Sequence, residues 1–193
     1  MKKVRLRKDR IIKVSLAIVL VIVTSVFALR GCFDSVENLS YPIEYTEYVE
    51  KYAKEYNIDT ALLYAIIRTE SGFDPKAVSS ENAMGLTQIL PSTFTWLLTK
   101  TDEDLPIDAL YEPETAIKYG ALLLNILYQQ FEETDVVIAA YHAGVGNVGN
   151  WLKNGEYSDD GKTLKKIPFA DTEYYVKKVT DAVEVYRKLL SKD

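Results

Sequence analysis

The chain has 193 residues, with 23 basic and 28 acidic side chains that are unevenly distributed. Eight basic residues and one acidic residue lie at or before Arg30, so the remaining 15 basic and 27 acidic residues give the rest a formal charge of −12. So acidic a body is a poor nucleic-acid binder, because nucleic acids are bound by basic faces. A single Cys and a single His exclude an intrachain disulfide and multi-ligand Cys/His metal sites, and we expect neither metal nor other cofactor.

The first part of the sequence is typical of a membrane anchor. Residues 1–10 form a basic tail, and residues 14–29 contain no charged side chain. With its flanks the apolar span covers residues 11–31, close to the roughly 20 residues that a membrane helix needs. We therefore predict one transmembrane helix in the cell membrane, with the basic tail in the cytoplasm and the body on the extracytoplasmic face.

Two alternatives to a retained anchor would also export the body. The segment Val26–Ala28 resembles the small-residue site of a cleaved signal peptide, and Leu29–Cys32 resembles a lipoprotein signal.

Residues 32–42 are polar and end at a proline, which indicates a short linker. Fully extended, this linker reaches about 40 Å, so the body should stay close to the membrane.

Residues 43–193 show the apolar periodicity of helices, and no stretch alternates as a strand does. We predict an all-α domain with an irregular stretch over residues 71–90 and a loop over residues 105–111. The predicted helices span residues 43–56, 59–70, 91–99, 113–131, 135–141 and 171–190. Three glycines are expected to break the chain after the fifth helix: Gly144, Gly146 and Gly149. Two tryptophans are expected in the core: Trp96 and Trp151.

Glu70 has an unusual place at the end of the second predicted helix, for which Asp59 is a plausible N-cap. Leu63, Ile66 and Ile67 precede Glu70 by seven, four and three residues, which places Glu70 on the buried face. Burial and the negative end of the helix dipole both raise a carboxyl pKa. An acid still protonated near neutral pH can serve as a general acid. The alternative is a glutamate whose carboxylate reaches from the helix end into water.

Four short motifs follow one another in a fixed order. They are Glu70-Ser71, Gly85-Leu86-Thr87-Gln88, the segment Ala140–Val148 (AYHAGVGNV) and the segment Pro168–Val176 (PFADTEYYV). Each motif alone is weak evidence, but the ordered set is specific. Over residues 43–190 the body resembles the soluble lytic transglycosylase (SLT) family, whose members have a lysozyme-like helical fold and cleave peptidoglycan.

The resemblance implies a role for each matching residue. Glu70 matches the family's single catalytic acid/base, and Ser79 matches a serine that orients this carboxylate or the N-acetyl group of the sugar. Gln88 matches a glutamine that lines the groove. Tyr141 matches a tyrosine whose hydroxyl reaches the active site, and Tyr175 matches a tyrosine of the groove.

The sequence departs from the family's pattern at four positions, none of which removes Glu70: Thr87 in place of Met, His142 in place of Asn, Val145 in place of Pro, and Asp171 in place of Glu. We include His142 and Asp171 among the substrate-binding residues. His142 replaces an amide, which favours hydrogen bonding over a second acid/base role. Asp171 has the alternative role of a helix N-cap. Two other binding candidates have ordinary structural roles open to them, in a loop and in the core: Ser79 and Tyr141.

These features predict a membrane-anchored lytic transglycosylase whose catalytic domain spans residues 43–193. Its partners would be peptidoglycan glycan strands and, through residues 11–31, the membrane. As the resemblance implies, it would cleave the β-1,4 bond from N-acetylmuramic acid to N-acetylglucosamine. We expect a product that ends in 1,6-anhydro-N-acetylmuramic acid, because only Glu70 lies on a buried helix face among the motifs and no second carboxylate is placed to activate water. The alternatives are a hydrolase of the goose-type lysozyme kind and a non-catalytic peptidoglycan-binding module of an envelope-spanning machine.

Overall fold

The computed structural model describes residues 24–25 and 40–191, and the chain divides between Pro42 and Ile43 into two units. All of the helices between Thr46 and Leu190 belong to the second unit. The predicted anchor, residues 11–31, lies almost wholly outside the described residues, as do the predicted basic tail and most of the linker. Within the described ranges, no helix combines the length and the apolar character that a membrane crossing requires.

The second unit is all-helical over residues 43–191, which confirms the predicted all-α domain. Its α-helices are α1 (Thr46–Glu55), α2 (Thr60–Ser71), α3 (Pro91–Leu98), α4 (Pro113–Gln130), α5 (Thr134–Ala143), α6 (Val145–Leu152) and α7 (Ala170–Leu190). A short 3-10 helix, Ile107–Tyr111, precedes α4. Extended pairing in these residues is limited to two isolated bridges, Val78 with Met84 and Met84 with Ile89.

Helix α2 is the central element of this unit. Asp59 caps its N-terminus by accepting a 2.9 Å hydrogen bond from the backbone N–H of Ala61, as predicted. Residues 61–67 are all buried, which requires neighbours on several sides of the helix. The longest neighbour is α7, against which Tyr64 stacks on Tyr186 with ring centroids 5.3 Å apart. The C-terminal turn of α2, which carries Glu70, therefore ends among other helices.

Gly72 ends α2 in the left-handed conformation, with φ of 60°, and starts the irregular stretch that was predicted for residues 71–90. This stretch folds back on itself through the two bridges and a 3.0 Å hydrogen bond from the N–H of Gly85 to the carbonyl of Ala77. Gly85 has φ of 74°, and a Cβ there would lie 1.9 Å from the carbonyl oxygen of Leu110. The stretch is thus seated directly against the 3-10 helix.

The predicted loop over residues 105–111 is wrong, because residues 107–111 form the 3-10 helix around buried Leu110. The break predicted at three glycines is correct only at Gly144, whose φ of 85° separates α5 from α6. The other two lie inside α6, which is held by its buried Val148 and Trp151. Trp151 is in the core as predicted. Trp96 is not, since it is 42% exposed.

Candidate active site

A cleft of about 310 Å³ opens beside the C-terminal turn of α2. Its walls come from α2, the irregular stretch, the start of α3, and one side each of α4 and α5. The lining residues are Glu70, Ser79, Glu81, Ala83, Gln88, Ile89, Leu90, Thr93, Leu123, Tyr141 and His142. Five of the seven predicted site residues therefore share one cleft. Of the other two, Tyr175 contacts Glu70 directly and Asp171 lies outside the lining.

Glu70 is the carboxyl group around which this cleft is arranged. Burial raises its pKa from 4.5 to about 7, while the hydrogen bond from Tyr175 and the positive charge of Lys178 oppose the rise. The direction and the principal cause are those predicted from the helix pattern. With a pKa of about 7 the group is present in both protonation states at neutral pH, so it can donate a proton and also accept one.

Tyr175 on α7 donates a 2.5 Å hydrogen bond from its hydroxyl to Oε1 of Glu70. Burial and the negative charge of Glu70 raise the pKa of Tyr175 well above 10, so this hydroxyl keeps its proton. One turn further along α7, Nζ of Lys178 lies 3.5 Å from the carbonyl oxygen of Thr69. Lys178 was missed in the sequence. Its place three residues after Tyr175, on the same side of the helix, was the available signal.

Tyr141 on α5 faces Glu70 from another side of the cleft. Its hydroxyl donates a 2.7 Å hydrogen bond to the carbonyl oxygen of Thr87, and burial and the charge of Glu70 raise its pKa well above 10. Thr87 is itself fully buried and donates from Oγ1 to the carbonyl of Ala116 at 2.7 Å. A Cβ on Gly120 would lie 2.6 Å from Cγ2 of Thr87. Thr87, which replaces the family's methionine, therefore packs closely against Gly120 on α4.

Gln88 holds the irregular stretch in shape as well as lining the cleft. It has a positive φ of 47°, and its side-chain Nε2 donates to the carbonyls of Ala77 at 3.1 Å and Gly85 at 2.9 Å. Since both amide hydrogens are engaged in this way, the carbonyl oxygen of the amide is the atom left to accept from a ligand.

Ser79 also combines a loop contact with a place in the cleft. Its hydroxyl oxygen accepts hydrogen bonds from the backbone N–H groups of Glu81 at 3.2 Å and Ala83 at 3.0 Å. These bonds form a serine-capped turn and use the oxygen as an acceptor. The hydroxyl hydrogen remains to donate to a ligand in the cleft.

His142 and Asp171 extend the site towards the start of α7. The His142 ring lies 4.4 Å from the Tyr175 ring between centroids, and its Nδ1 is 3.1 Å from Oγ1 of Thr172. Burial lowers the pKa of His142, and the charge of Asp171 opposes that. Asp171 is exposed and accepts a 2.9 Å hydrogen bond from the N–H of Thr172. Its alternative role as N-cap is wrong, because Phe169 occupies that position.

Several lining residues were not expected from the sequence. Leu90, Thr93 and Leu123 are ordinary apolar or polar positions of helices and carry no motif. Glu81 is a second carboxyl group at the cleft, exposed on the irregular stretch, whereas none was predicted there. The signal for Glu81 was its position two residues after Ser79. In the described part of the chain no group of three His, Cys, Asp or Glu side chains could hold a metal ion.

The model of a transglycosylase SLT domain matches residues 47–164. The chain is 36% identical over 155 residues to the soluble lytic murein transglycosylase of Salmonella typhimurium, covering 78% of this chain and 24% of that protein. It is 36% identical over 116 residues to the membrane-bound lytic murein transglycosylase C of Haemophilus ducreyi, covering 54% of this chain and 32% of that one. The chain thus spans about a quarter to a third of the length of these relatives.

Solved structures of the same kind share the fold. An inactive mutant of the lytic transglycosylase Slt from Pseudomonas aeruginosa matches with a TM-score of 0.73 and 29% identity, over 80% of this chain and 25% of that one. A complex of the 70-kDa soluble lytic transglycosylase with bulgecin A matches with a TM-score of 0.72 and 30% identity, over 84% of this chain and 27% of that one.

Proposed function

We propose that this chain, which belongs to the transglycosylase SLT domain family, cleaves the glycan strands of peptidoglycan. The bond would be the β-1,4 link from N-acetylmuramic acid to N-acetylglucosamine. The observation that carries the proposal is Glu70, a carboxyl group with a pKa of about 7 in a cleft that can admit a sugar. The relatives whose sequences it matches are named lytic murein transglycosylases, which agrees with this chemistry.

In the first step Glu70 would donate its proton to the glycosidic oxygen as the bond to C1 of the muramic acid breaks. This needs the protonated form, which burial keeps populated at neutral pH. Tyr175 fixes the carboxyl group through its 2.5 Å hydrogen bond, and this bond also favours the carboxylate that remains after donation. Both effects suit a group that changes protonation state during the reaction.

In the second step the substrate would supply its own nucleophile. The C6 hydroxyl of the muramic acid forms a bond to C1 of the same sugar, and the Glu70 carboxylate takes the hydroxyl proton. Ring closure within one molecule gains from proximity and needs no ordered water. The product would end in 1,6-anhydro-N-acetylmuramic acid, and Glu70 would return to its protonated form.

The remaining site residues would bind the glycan. Ser79 and Gln88 line one wall of the cleft, with a hydroxyl hydrogen and an amide oxygen free to meet the sugar's polar groups. Tyr141 and His142 line the part of the cleft that α5 forms. Asp171 would act through His142, whose protonation its charge favours, rather than by direct contact in the cleft.

Glu81 favours a second candidate, a hydrolase of the goose-type lysozyme kind. An inverting glycosidase uses a second carboxylate to activate water on the far side of the sugar ring. Glu81 lines the same cleft as Glu70 and is exposed to solvent, as such a base would need to be. The two candidates differ in product, because hydrolysis leaves a reducing muramic acid that is heavier by one water.

We also propose that residues 11–31 anchor the catalytic domain, residues 43–193, outside the cell, with residues 1–10 in the cytoplasm and residues 32–42 as the linker. The support is the uncharged run behind a basic tail. Protease treatment of intact protoplasts should then remove the domain and leave the tail. A domain protected from protease, or one released into the medium, would contradict this arrangement. Labelling by a lipid precursor that depends on Cys32 would replace it with a lipid anchor.

The proposed activity is tested by the release of soluble muropeptides from purified sacculi. The wild-type chain should dissolve the sacculi, and a folded Glu70→Gln variant should release none above background. A wild-type protein that binds sacculi without releasing any muropeptide would instead indicate a non-catalytic peptidoglycan-binding module.

A further inference from the structure

Trp96 differs from the other tryptophan of the chain in its exposure to solvent. It is 42% exposed, whereas Trp151 is 6% exposed. Tryptophan carries the largest apolar surface of any side chain, and its rings serve as contact surfaces where they are left open. A single exposed apolar residue needs no explanation by itself. The position of Trp96 relative to the cleft is the observation that indicates a role in binding.

Helix α3 begins at the edge of the cleft. Leu90, just before the helix, and Thr93 in its first turn both line the cleft with Glu70. Trp96 follows Thr93 by three residues, so it lies on the same side about 4.5 Å further along the axis. Phe94 and Leu97 are fully buried and hold the helix against the core, which leaves Trp96 on its exposed side.

The surroundings of the ring suit a polar ligand with one apolar face. Nζ of Lys100 lies 5.4 Å from the ring centroid on an exposed, flexible side chain, and such a contact is weak enough for a ligand to displace. Thr99, which follows Trp96 by three residues on the same side, is polar and exposed as well. Within residues 40–191 no protein atom accepts a hydrogen bond from the indole N–H, which remains to donate to a hydroxyl group.

We propose that Trp96 is a stacking platform for a sugar ring of the glycan strand, beyond the sugars held in the cleft beside Glu70. The C–H face of the sugar would lie on the indole, with its hydroxyls towards the N–H group and Lys100. This inference rests on the proposed function, since it extends the same binding groove. Its consequence is a length preference, because only a longer glycan can reach from Glu70 to Trp96.

The test uses the Glu70→Gln background, in which the ligand is not consumed, and oligosaccharides of N-acetylglucosamine as probes. Because the chain has two tryptophans, intrinsic fluorescence reports on few sites. A hexasaccharide should change the emission, and the change should vanish in Trp96→Phe while Trp151 remains. Trp96→Ala should weaken hexasaccharide binding roughly three- to tenfold, the range expected for loss of one aromatic contact, and leave disaccharide binding unchanged.

Two controls separate stacking from damage to the helix. Thr95→Ala alters an exposed neighbour on another side of α3 and should leave both affinities unchanged. Trp96→Tyr keeps an aromatic face and should retain most of the hexasaccharide affinity. Equal hexasaccharide affinity in the Trp96→Ala and parent proteins would overturn the inference and leave the proposed function standing. Failure of the parent protein to bind either sugar would overturn both.

Discussion

The hydroxyl of Tyr175 donates to Oε1 of Glu70 at 2.5 Å, joining residues that are 105 positions apart in the sequence. Burial raises the pKa of Glu70 to about 7, and this hydrogen bond acts in the opposite direction. The bond favours the charged carboxylate because a tyrosine hydroxyl donates to it. The contact between α2 and α7 therefore fixes the position of the proposed general acid and limits the rise in its pKa that burial causes.

Replacement of Tyr175 by Phe should raise the pKa of Glu70 further, since burial is then less opposed. Activity requires the protonated acid, so the fall in kcat/KM on the alkaline side should begin at a higher pH than in the wild type. The maximal rate should drop about tenfold or more, because the carboxyl group loses its fixed orientation. Tyr174→Phe is the matched control, since Tyr174 is 69% exposed. An unchanged pH profile in Tyr175→Phe would contradict this role.

Lys178→Met should shift the same alkaline limb upwards, by less than Tyr175→Phe, because the positive charge contributes less than the hydrogen bond to the pKa of Glu70. The shift should shrink in high salt, which screens an exposed charge. The control is Lys177→Met, in which the lost ammonium is paired with Asp181 at 2.6 Å. pH profiles at two ionic strengths measure the effect. Equal shifts in the two variants would show that net charge alone is responsible.

Glu70→Gln should stabilise the fold in a pH-dependent way. Below about pH 4.5 the acid is protonated in both folded and unfolded chains, and its burial costs little. Between pH 4.5 and 7 the unfolded chain ionises while the folded one keeps its proton, so wild-type stability falls as the pH rises. Glu70→Gln lacks this loss, so its free energy of unfolding at pH 8 should exceed that of the wild type by about 1–2 kcal/mol. This value is smaller than the full pKa shift would give, because the Glu70 side chain is partly exposed to solvent.

Urea unfolding at pH 4 and pH 8 measures this difference, with Glu50→Gln as the control for loss of an exposed carboxylate. The glutamine oxygen can still accept the hydrogen bond from Tyr175, so the local structure should be kept. A Glu70→Gln variant less stable than wild type at pH 8 would show that Glu70 is a structural partner of a buried charge.

Gly85→Ala should destabilise the chain by about 2–4 kcal/mol, because alanine is strained in the left-handed conformation and its Cβ would meet the Leu110 carbonyl oxygen. The displaced loop would also carry Ser79 and Gln88 away from the cleft. Gly155→Ala is the control, since a Cβ there meets no heavy atom within 4 Å. Equal unfolding midpoints for the two variants would show that the loop tolerates the displacement.

Much of the fold was predictable because its signals are local. The Asp59 cap, the apolar face that buries Glu70 and the glycine that ends α2 all lie within a few residues of one another. Contacts between distant segments had no such signal. Thr87 packs against Gly120 because the irregular stretch lies against α4. The apolar periodicity of the sequence does not predict such a contact.

Within the site, the ordered set of motifs predicted residues that line a single cleft, even though each motif alone is weak evidence. The sequence missed what depends on three-dimensional position. Glu81 is exposed on the irregular stretch. It lies at the cleft because the two isolated bridges fold that stretch back on itself. Trp96 was expected in the core because tryptophan usually is, but the core side of α3 is already filled by Phe94 and Leu97.

The most direct test of the central claim is mass spectrometry of muropeptides released from purified sacculi in water enriched in ¹⁸O. If Glu70 alone serves as acid and base, the products should end in 1,6-anhydro-N-acetylmuramic acid and carry no label at C1, in the wild type and in Glu81→Gln alike. Reducing muramic acid labelled at C1, lost in Glu81→Gln, would contradict this account and identify a hydrolase with Glu81 as its base.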